Sequence, residues 1–181
     1  MEEDLGQYNQ ETEVFWATGA CFFIRKEVYR TLQGFDADFF AHQEEIDLCW
    51  RANNLGFTAK YCPTSVVYHV GGATLNEANP MKTFLNFRNS LLMLTKNLPK
   101  EKLFPIIFTR LCLDGVAGVQ FQGKFKHTLA ILKAHFHFYH LLSRNLKKRN
   151  LHQKTDYFYT KSIVWSYFVE KKKTFDKLSL K

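Results

Sequence analysis

Apolar positions along the chain alternate between strand-like runs and helical spacing, and the switches predict its elements in order. Residues 1–13 are polar and acidic, an exposed lead-in. Val14-Phe15-Trp16-Ala17-Thr18-Gly19-Ala20 then runs into Cys21-Phe22-Phe23-Ile24, which predicts a buried strand after a small-residue turn. Residues 25–32 read as a short helix with Val28 and Leu32 on one face, ended by Gly34 in a left-handed cap. Residues 44–55 place Leu48, Ala52 and Leu55 at i, i+4 and i+7, the stripe of a core-facing helix that Gly56 stops. Residues 58–62 and 65–70 are β-type runs on either side of Pro63-Thr64. This alternation predicts an α/β fold.

The second half reads as helix. Residues 82–97 carry Phe84, Phe87, Leu91 and Leu94 on one side, with Pro99 marking the end. Residues 103–121 are strongly apolar but contain Arg110 and Asp114, spaced to pair on one face. That pair argues against an ordinary membrane span and leaves an interfacial or re-entrant helix, or one packed on the domain. Residues 125–146 repeat Phe125, Leu129, Leu132, Phe136, Tyr139, Leu142 and Leu146, an amphipathic helix with Lys126, Lys133 and several His elsewhere on its surface. A last aromatic run at 163–169 precedes Lys171-Lys172-Lys173. An apolar, Trp-containing element beside a cationic run suits an anionic membrane surface. The reading divides the chain into 1–98 and an aromatic, basic helical tail at 99–181.

Composition narrows the class. A chain of 181 residues holds one domain with a real core and room for an appended segment. The 46% hydrophobic content excludes a disordered chain, and 16% aromatic predicts a surface that meets an apolar phase or a partner. From Arg144 onward eleven Lys/Arg stand against three acids, while residues 1–143 hold fourteen of each. The whole net charge of +8 is therefore local to the tail. Four cysteines without CxxC spacing predict reduced thiols, with neither a disulfide framework nor a zinc site. The acidic start Met1-Glu2-Glu3-Asp4 predicts no secretory signal, hence a cytoplasmic location.

Candidate chemistry gathers between Gly34 and Gly72. Glu44, Glu45 and Asp47 share the first turn of a helix, where the dipole favours ionised carboxylates and crowding opposes them. An ionised carboxylate at a pocket mouth is what a general base for a sugar hydroxyl requires. Such acids also serve as plain dipole partners, and Asp47 is placed to pair with Arg51 one turn on. His69 ends a β-type run before Gly71-Gly72, a place for a metal ligand beside backbone that can approach a diphosphate, or for a hydrogen-bonded structural histidine. Asp36-Ala37-Asp38 is a literal D-x-D, but it follows Gly34-Phe35 instead of ending an apolar strand, so it reads as a turn orienting an acceptor wall. Of His135, His137 and His140, only the last two share a helix face. The basic tail comes without a glycine-aromatic RNA motif, zinc finger or helix-turn-helix, so no nucleic acid partner is expected.

Taken together, Trp16-Ala17-Thr18-Gly19-Ala20, Gly34-Phe35-Asp36, Phe39-Phe40, Glu44-Glu45-Ile46-Asp47-Leu48-Cys49-Trp50-Arg51 and Tyr68-His69-Val70-Gly71-Gly72 resemble family-two glycosyltransferases of the GT-A fold. The likeness runs over roughly residues 12–100 and is nearest to bacterial rhamnosyltransferase-like members that build surface polysaccharides. Phe87-Arg88-Asn89-Ser90-Leu91-Leu92 and Lys96-Asn97-Leu98-Pro99 resemble the helix that follows the glycines there. The resemblance implies a partial GT-A acceptor-side subdomain followed by amphipathic, membrane-associating helices. It implies inverting hexosyl transfer from a nucleotide-diphosphate sugar to a glycan or lipid-linked acceptor, assisted by Mg or Mn, peripherally at the inner face of the cell membrane.

Position by position, Glu45 matches the catalytic base, where the family usually has Asp. Glu44 and Asp47 match its flanking acids, and His69 matches a metal or diphosphate ligand. Trp16, Gly19, Ala20, Asp36, Asp38, Gly71, Gly72 and Arg88 become the substrate-binding candidates, Arg88 as a diphosphate contact. The family's nucleotide-binding half has no counterpart in the resemblance. The chain is therefore expected to be a C-terminal portion that transfers no sugar efficiently alone, the alternative being a non-catalytic, membrane-associated interaction module. The resemblance requires the acidic cluster and His69 to share one cleft.

Overall fold

The computed structural model describes residues 5–70, 78–120, 125–149, 153–156 and 162–178. In chain order they form β1 (Thr12–Val14), α1 (Lys26–Thr31), α2 (Glu44–Asn54), β2 (Ala59–Tyr61), α3 (Pro80–Asn97), α4 (Lys100–Gln120), α5 (Phe125–Lys147) and α6 (Ile163–Phe168). A 3-10 turn follows at Phe175–Lys177. The two strands pair antiparallel, Thr12 opposite Tyr61 and Val14 opposite Ala59. The described residues are thus mostly helical with a two-stranded sheet, which corrects the α/β expectation in its proportions.

Two expected strands do not form. Residues 21–24 are irregular: Phe23 is 96% exposed, while Phe22 and Ile24 pack against Val28, Leu32 and Leu48. Residues 65–70 are irregular and exposed throughout. Both runs have strand-forming side chains, but β propensity becomes a strand only where a neighbouring ladder takes up the backbone groups. Among the described residues none lies beside either run.

The short helices follow their sequence signals. α1 buries Val28, and the chain leaves it through Gln33 and Gly34, both at positive φ. A Cβ on Gly34 would sit 3.0 Å from the Tyr29 hydroxyl, so the position needs glycine twice over. α2 buries Leu48 completely, as its stripe predicts, while Leu55 falls outside the helix and is exposed.

The main core lies between α3 and α5. Phe39, Leu91, Leu92 and Phe138 form its centre, with Ile107 and Leu111 of α4 and Leu141 and Leu142 of α5 against it. This core spans the 98/99 boundary, so residues 1–98 and the tail share it. α5 presents the face opposite to the expected one. It buries His127, Ala130, Ile131, Ala134, Phe138 and Asn145. Phe125, Leu129, Leu132, Phe136, Tyr139 and Leu146 of the expected stripe face outward instead. The helix is apolar on both sides, and the side carrying Ala130 and Ala134 lets α3 approach closely. Small residues decide such a choice because close packing rewards the nearer backbone.

Part of the basic tail is turned inward. Arg149 donates to the Thr95 and Leu98 carbonyls, the latter at 2.7 Å, and so caps the C-terminal end of α3. Asn145 donates to the Leu92 carbonyl at 2.7 Å. α4 buries Asp114, which pairs with Arg110 at 2.7 Å as its spacing predicts and with His135 at 3.0 Å. Phe104, Phe108, Leu113 and Val116 of the same helix are exposed. Among the described residues no helix is long and apolar enough to cross a membrane.

Candidate functional site

The three acids of α2 part company because the helix turns 100° per residue. Asp47 lies on the face carrying Arg51 and is fully buried. It accepts from Arg51 Nε at 2.8 Å, Lys96 Nζ at 2.9 Å and Asn97 Nδ2 at 2.8 Å. Both carboxylate oxygens are occupied, so Asp47 anchors α2 to α3 and has no oxygen left to meet a substrate. Arg51 continues the tie by donating to the carbonyls of Leu32 and Gly34.

Glu45 lies on the opposite face, with Cys49 and Asn53. Residues 15–19 run antiparallel along that face. Asn53 Nδ2 donates to the Phe15 carbonyl at 2.8 Å, the Ala17 backbone meets Cys49, and Gly19 lies against the Glu45 side chain. A Cβ on Gly19 would stand 3.8 Å from the Glu45 side chain, an ordinary contact. The Trp16–Ala20 motif and the acidic motif are therefore neighbours, although separated by more than twenty residues.

The backbone entering α2 is strained. Phe40, His42 and Gln43 all adopt positive φ, at 64°, 68° and 70°. Non-glycine residues pay for that conformation, roughly 1 kcal/mol or more each, and hold it only where their surroundings over-determine it. α3 supplies the surroundings. Asn89, fully buried, directs its Nδ2 at the carbonyls of Phe39, Ala41 and His42 at 3.0, 2.7 and 2.7 Å. Arg88 donates from Nη2 to the carbonyls of Asp38 and Phe39 and from Nε to Asn89. Gln43 Nε2 reaches the Asn86 carbonyl at 3.2 Å.

Four consecutive side chains, two ending this held loop and two opening α2, keep a buried polar atom without a hydrogen-bond partner among the described residues: His42 Nε2, Gln43 Oε1, Glu44 Oε2 and Glu45 Oε2. Unpartnered buried polar atoms are uncommon in native proteins, and a run of four, two of them on strained backbone, marks groups held ready for a partner. Burial pushes the Glu45 carboxyl up, with Glu44 adding repulsion. Its own amide, His42 and the Gly19 amide oppose this without cancelling it. A carboxylate with a raised pKa and one open oxygen can take a proton from a hydroxyl.

Asp36 and Asp38 bind cations of this chain: Lys148 lies 2.6 Å from Asp36 and 2.5 Å from Asp38, Lys96 is 2.8 Å from Asp36, and Arg144 is 2.9 Å from Asp38. Burial pushes Asp36 up, but hydrogen bonds from Lys148 and Lys96 outweigh it and hold the carboxyl well below the usual range. The D-x-D is a turn locked to α3 and α5, not a free substrate contact. Arg88, expected on a diphosphate, is half-buried with Nη2 engaged by the loop and Nε by Asn89, which makes it a clamp. Trp16 and Ala20 are exposed. His69 is exposed, and Gly71 and Gly72 lie outside the described residues.

Among the described residues no three His, Cys, Asp or Glu side chains converge as a cation site. With Asp36, Asp38 and Asp47 already ion-paired, the described donor set does not fit a divalent ion, and no step below runs through one. Sequence reasoning missed His42, and quoted Asn89 and Lys96 within motifs of the resemblance without giving either a role. An Asn beside an Arg on a helix, and a Lys-Asn pair at its end, are signals too ordinary to single out unaided.

Comparison with known proteins bears on the same region of function. A stretch of 59 residues is 32% identical to the N-acetylglucosaminyl-diphospho-decaprenol L-rhamnosyltransferase of Mycobacterium tuberculosis, in strains CDC 1551 / Oshkosh and ATCC 25618 / H37Rv. The match takes in 33% of this chain and 19% of the mycobacterial protein, about a fifth of that relative's length. No family model and no solved structure matches. The chain thus carries partial similarity to a glycosyltransferase.

Proposed function

We propose that this chain carries the acceptor side of a glycosyl-transfer site, with Glu45 as the general base. The observation that carries the reading is the Glu45 carboxyl. It is raised by burial, has one oxygen unpartnered, and is set against Gly19 in the first turn of α2, directly after a loop that α3 holds in strained form. The partial similarity to a rhamnosyltransferase supports the reaction class. In the proposed step Glu45 Oε2 accepts the proton of an acceptor hydroxyl as that oxygen attacks the anomeric carbon of a nucleotide-diphosphate sugar. The C–O bond to the donor breaks, and the nucleoside diphosphate leaves with its electron pair. Attack opposite the leaving group inverts the anomeric centre. His42 and Glu44 flank the base, and Asp47, Asn89 and Arg88 position it.

The acceptor we propose is a glycan on a lipid diphosphate, met at the cytoplasmic membrane face. Exposed Leu132 and Phe136 beside Lys133 on α5, and exposed Phe104 and Phe108 on α4, support that placement. GT-A topology and a divalent ion belong to the same reading and find no support in the described donor set. The same apolar surfaces favour a second reading, a non-catalytic membrane-associated module.

The deciding assay follows sugar transfer to a lipid-linked acceptor with nucleotide sugars and Mn²⁺, using the chain alone and with a nucleotide-binding half supplied. Glu45→Gln is expected to lower kcat roughly 10²–10⁴-fold. Transfer that Glu45→Gln leaves intact would refute the base, and no transfer under any condition would favour the module.

A further inference from the structure

A cavity of about 430 Å³ opens between the first turn of α3 and residues 126–137 of α5, and Glu45 is not among the residues that line it. Met81, Phe84 and Leu129 line it on the apolar side, and Lys126, Lys133 and His137 on the polar side. Lys126 and Lys133 lie two turns apart on one face of α5, roughly 10 Å along the axis. Neither has a carboxylate within ion-pair distance among the described residues, whereas Lys96, Arg144 and Lys148 are all paired. The apolar wall continues outward into Phe125, Leu132 and Phe136, which are 76%, 61% and 73% exposed. A soluble anion would use the lysines and leave the apolar wall wet; a neutral lipid would leave the lysines unmatched. One class of occupant satisfies both. We infer that this cavity binds an anionic amphiphile, a phosphate or diphosphate head on Lys126 and Lys133 with its apolar chain along Leu129 and the outer face of α5.

The cavity is also wired to the candidate site. The Arg88 guanidinium lies 5.2 Å over the Phe84 ring, and the His137 ring meets Phe84 edge-on at 5.2 Å. Arg88 in turn holds the Asp38 and Phe39 carbonyls of the strained loop. Gln43 touches α3 at Asn86, within one turn of Phe84. An occupant of the cavity would therefore press on Phe84 and, through Arg88, on the loop that leads into the base. Its role as anchor of a lipid-linked acceptor rests on the glycosyl-transfer reading; the binding does not.

Calorimetry on the full chain in a non-ionic detergent tests this with three probes: a long-chain isoprenyl diphosphate, inorganic diphosphate and the uncharged isoprenol. Saturable binding of the isoprenyl diphosphate is expected, with both other probes at least about tenfold weaker. Lys126→Ala/Lys133→Ala should weaken it about fivefold per lysine, roughly thirtyfold for the pair. Leu129→Asp should weaken it as well. Lys171→Ala/Lys173→Ala removes the same charge elsewhere and should leave binding unchanged. Wild-type affinity in the Lys126/Lys133 variant, equal affinity for inorganic diphosphate, or equal loss in the Lys171/Lys173 variant would each overturn the inference. Glu45→Gln should bind normally. Binding without transfer from any donor sinks the transfer reading alone, and transfer indifferent to Lys126 and Lys133 sinks the anchoring role while the binding stands.

Discussion

At the scale of single residues, the charge on Glu45 works against folding while serving chemistry. A carboxyl whose folded pKa is raised holds its proton more tightly in the native state than in the unfolded chain. Stability linked to it is fully present below the ordinary Glu value of 4.5 and falls as pH rises through the raised native value. At pH 7 the ionised group destabilises the fold. Glu45→Gln should therefore unfold at a temperature equal to or higher than wild type at pH 7, with the gap closing near pH 4. A lower melting temperature at pH 7 would contradict the burial argument. Asp36 has the opposite sign. Its depressed carboxyl contributes stability above the unfolded value of 3.8 and loses it as pH falls below that. Asp36→Asn should remove much of the acid-induced unfolding between roughly pH 4 and 2. Asn89→Ala leaves three loop carbonyls short of a donor and should cost about 1–3 kcal/mol, read by denaturant unfolding.

Between elements, the decisive contest is which face of α5 meets α3. Phe136 and Phe138 are two residues apart and point to opposite sides, one 73% exposed and the other 2%. Phe138→Ala should cost about 3–5 kcal/mol. Phe136→Glu should leave stability within about 0.5 kcal/mol and weaken adsorption to anionic vesicles. Equal costs would place α5 in the wrong register. The spacing of apolar residues made the helix legible but not its buried face. Phe125, Leu129, Leu132 and Phe136 are larger than Ala130 and Ala134, and burial favoured the smaller set because it lets the helix axes close up. Residues 21–24 and 65–70 failed differently. Val66, Val67 and Tyr68 read as strand, yet strands are made by pairs, and a single sequence does not name the partner. Helices α1, α2 and α3 were legible because their caps and stripes are local: Gly34, Gly56 and Pro99 sit where the backbone needs them.

Across the molecule, residues 1–98 and the tail are joined by a chain of ions: Lys96 of α3 joins Asp47 and Asp36, and Lys148 beyond α5 joins Asp36 and Asp38. Lys96 is 5% exposed, and removing it leaves Asp47 to Arg51 and Asn97 and Asp36 to Lys148. Lys96→Met should cost about 1–3 kcal/mol in denaturant unfolding, with both halves melting in one transition. The contact of Glu45 with Gly19 joins two motifs that the resemblance quotes, but nothing in their spacing names it. The separation of Glu45 from Asp47 was not legible either, because it depends on Lys96 and Asn97, fifty residues away, claiming one acid and leaving the other open. That division is the centre of the account. Its most direct test is a titration of the Glu45 side-chain carboxyl carbon by NMR in the full chain, with Glu44→Gln alongside. The expected midpoint lies above 4.5 and moves down when Glu44 loses its charge. A Glu45 midpoint at or below 4.5, indifferent to Glu44, would contradict it.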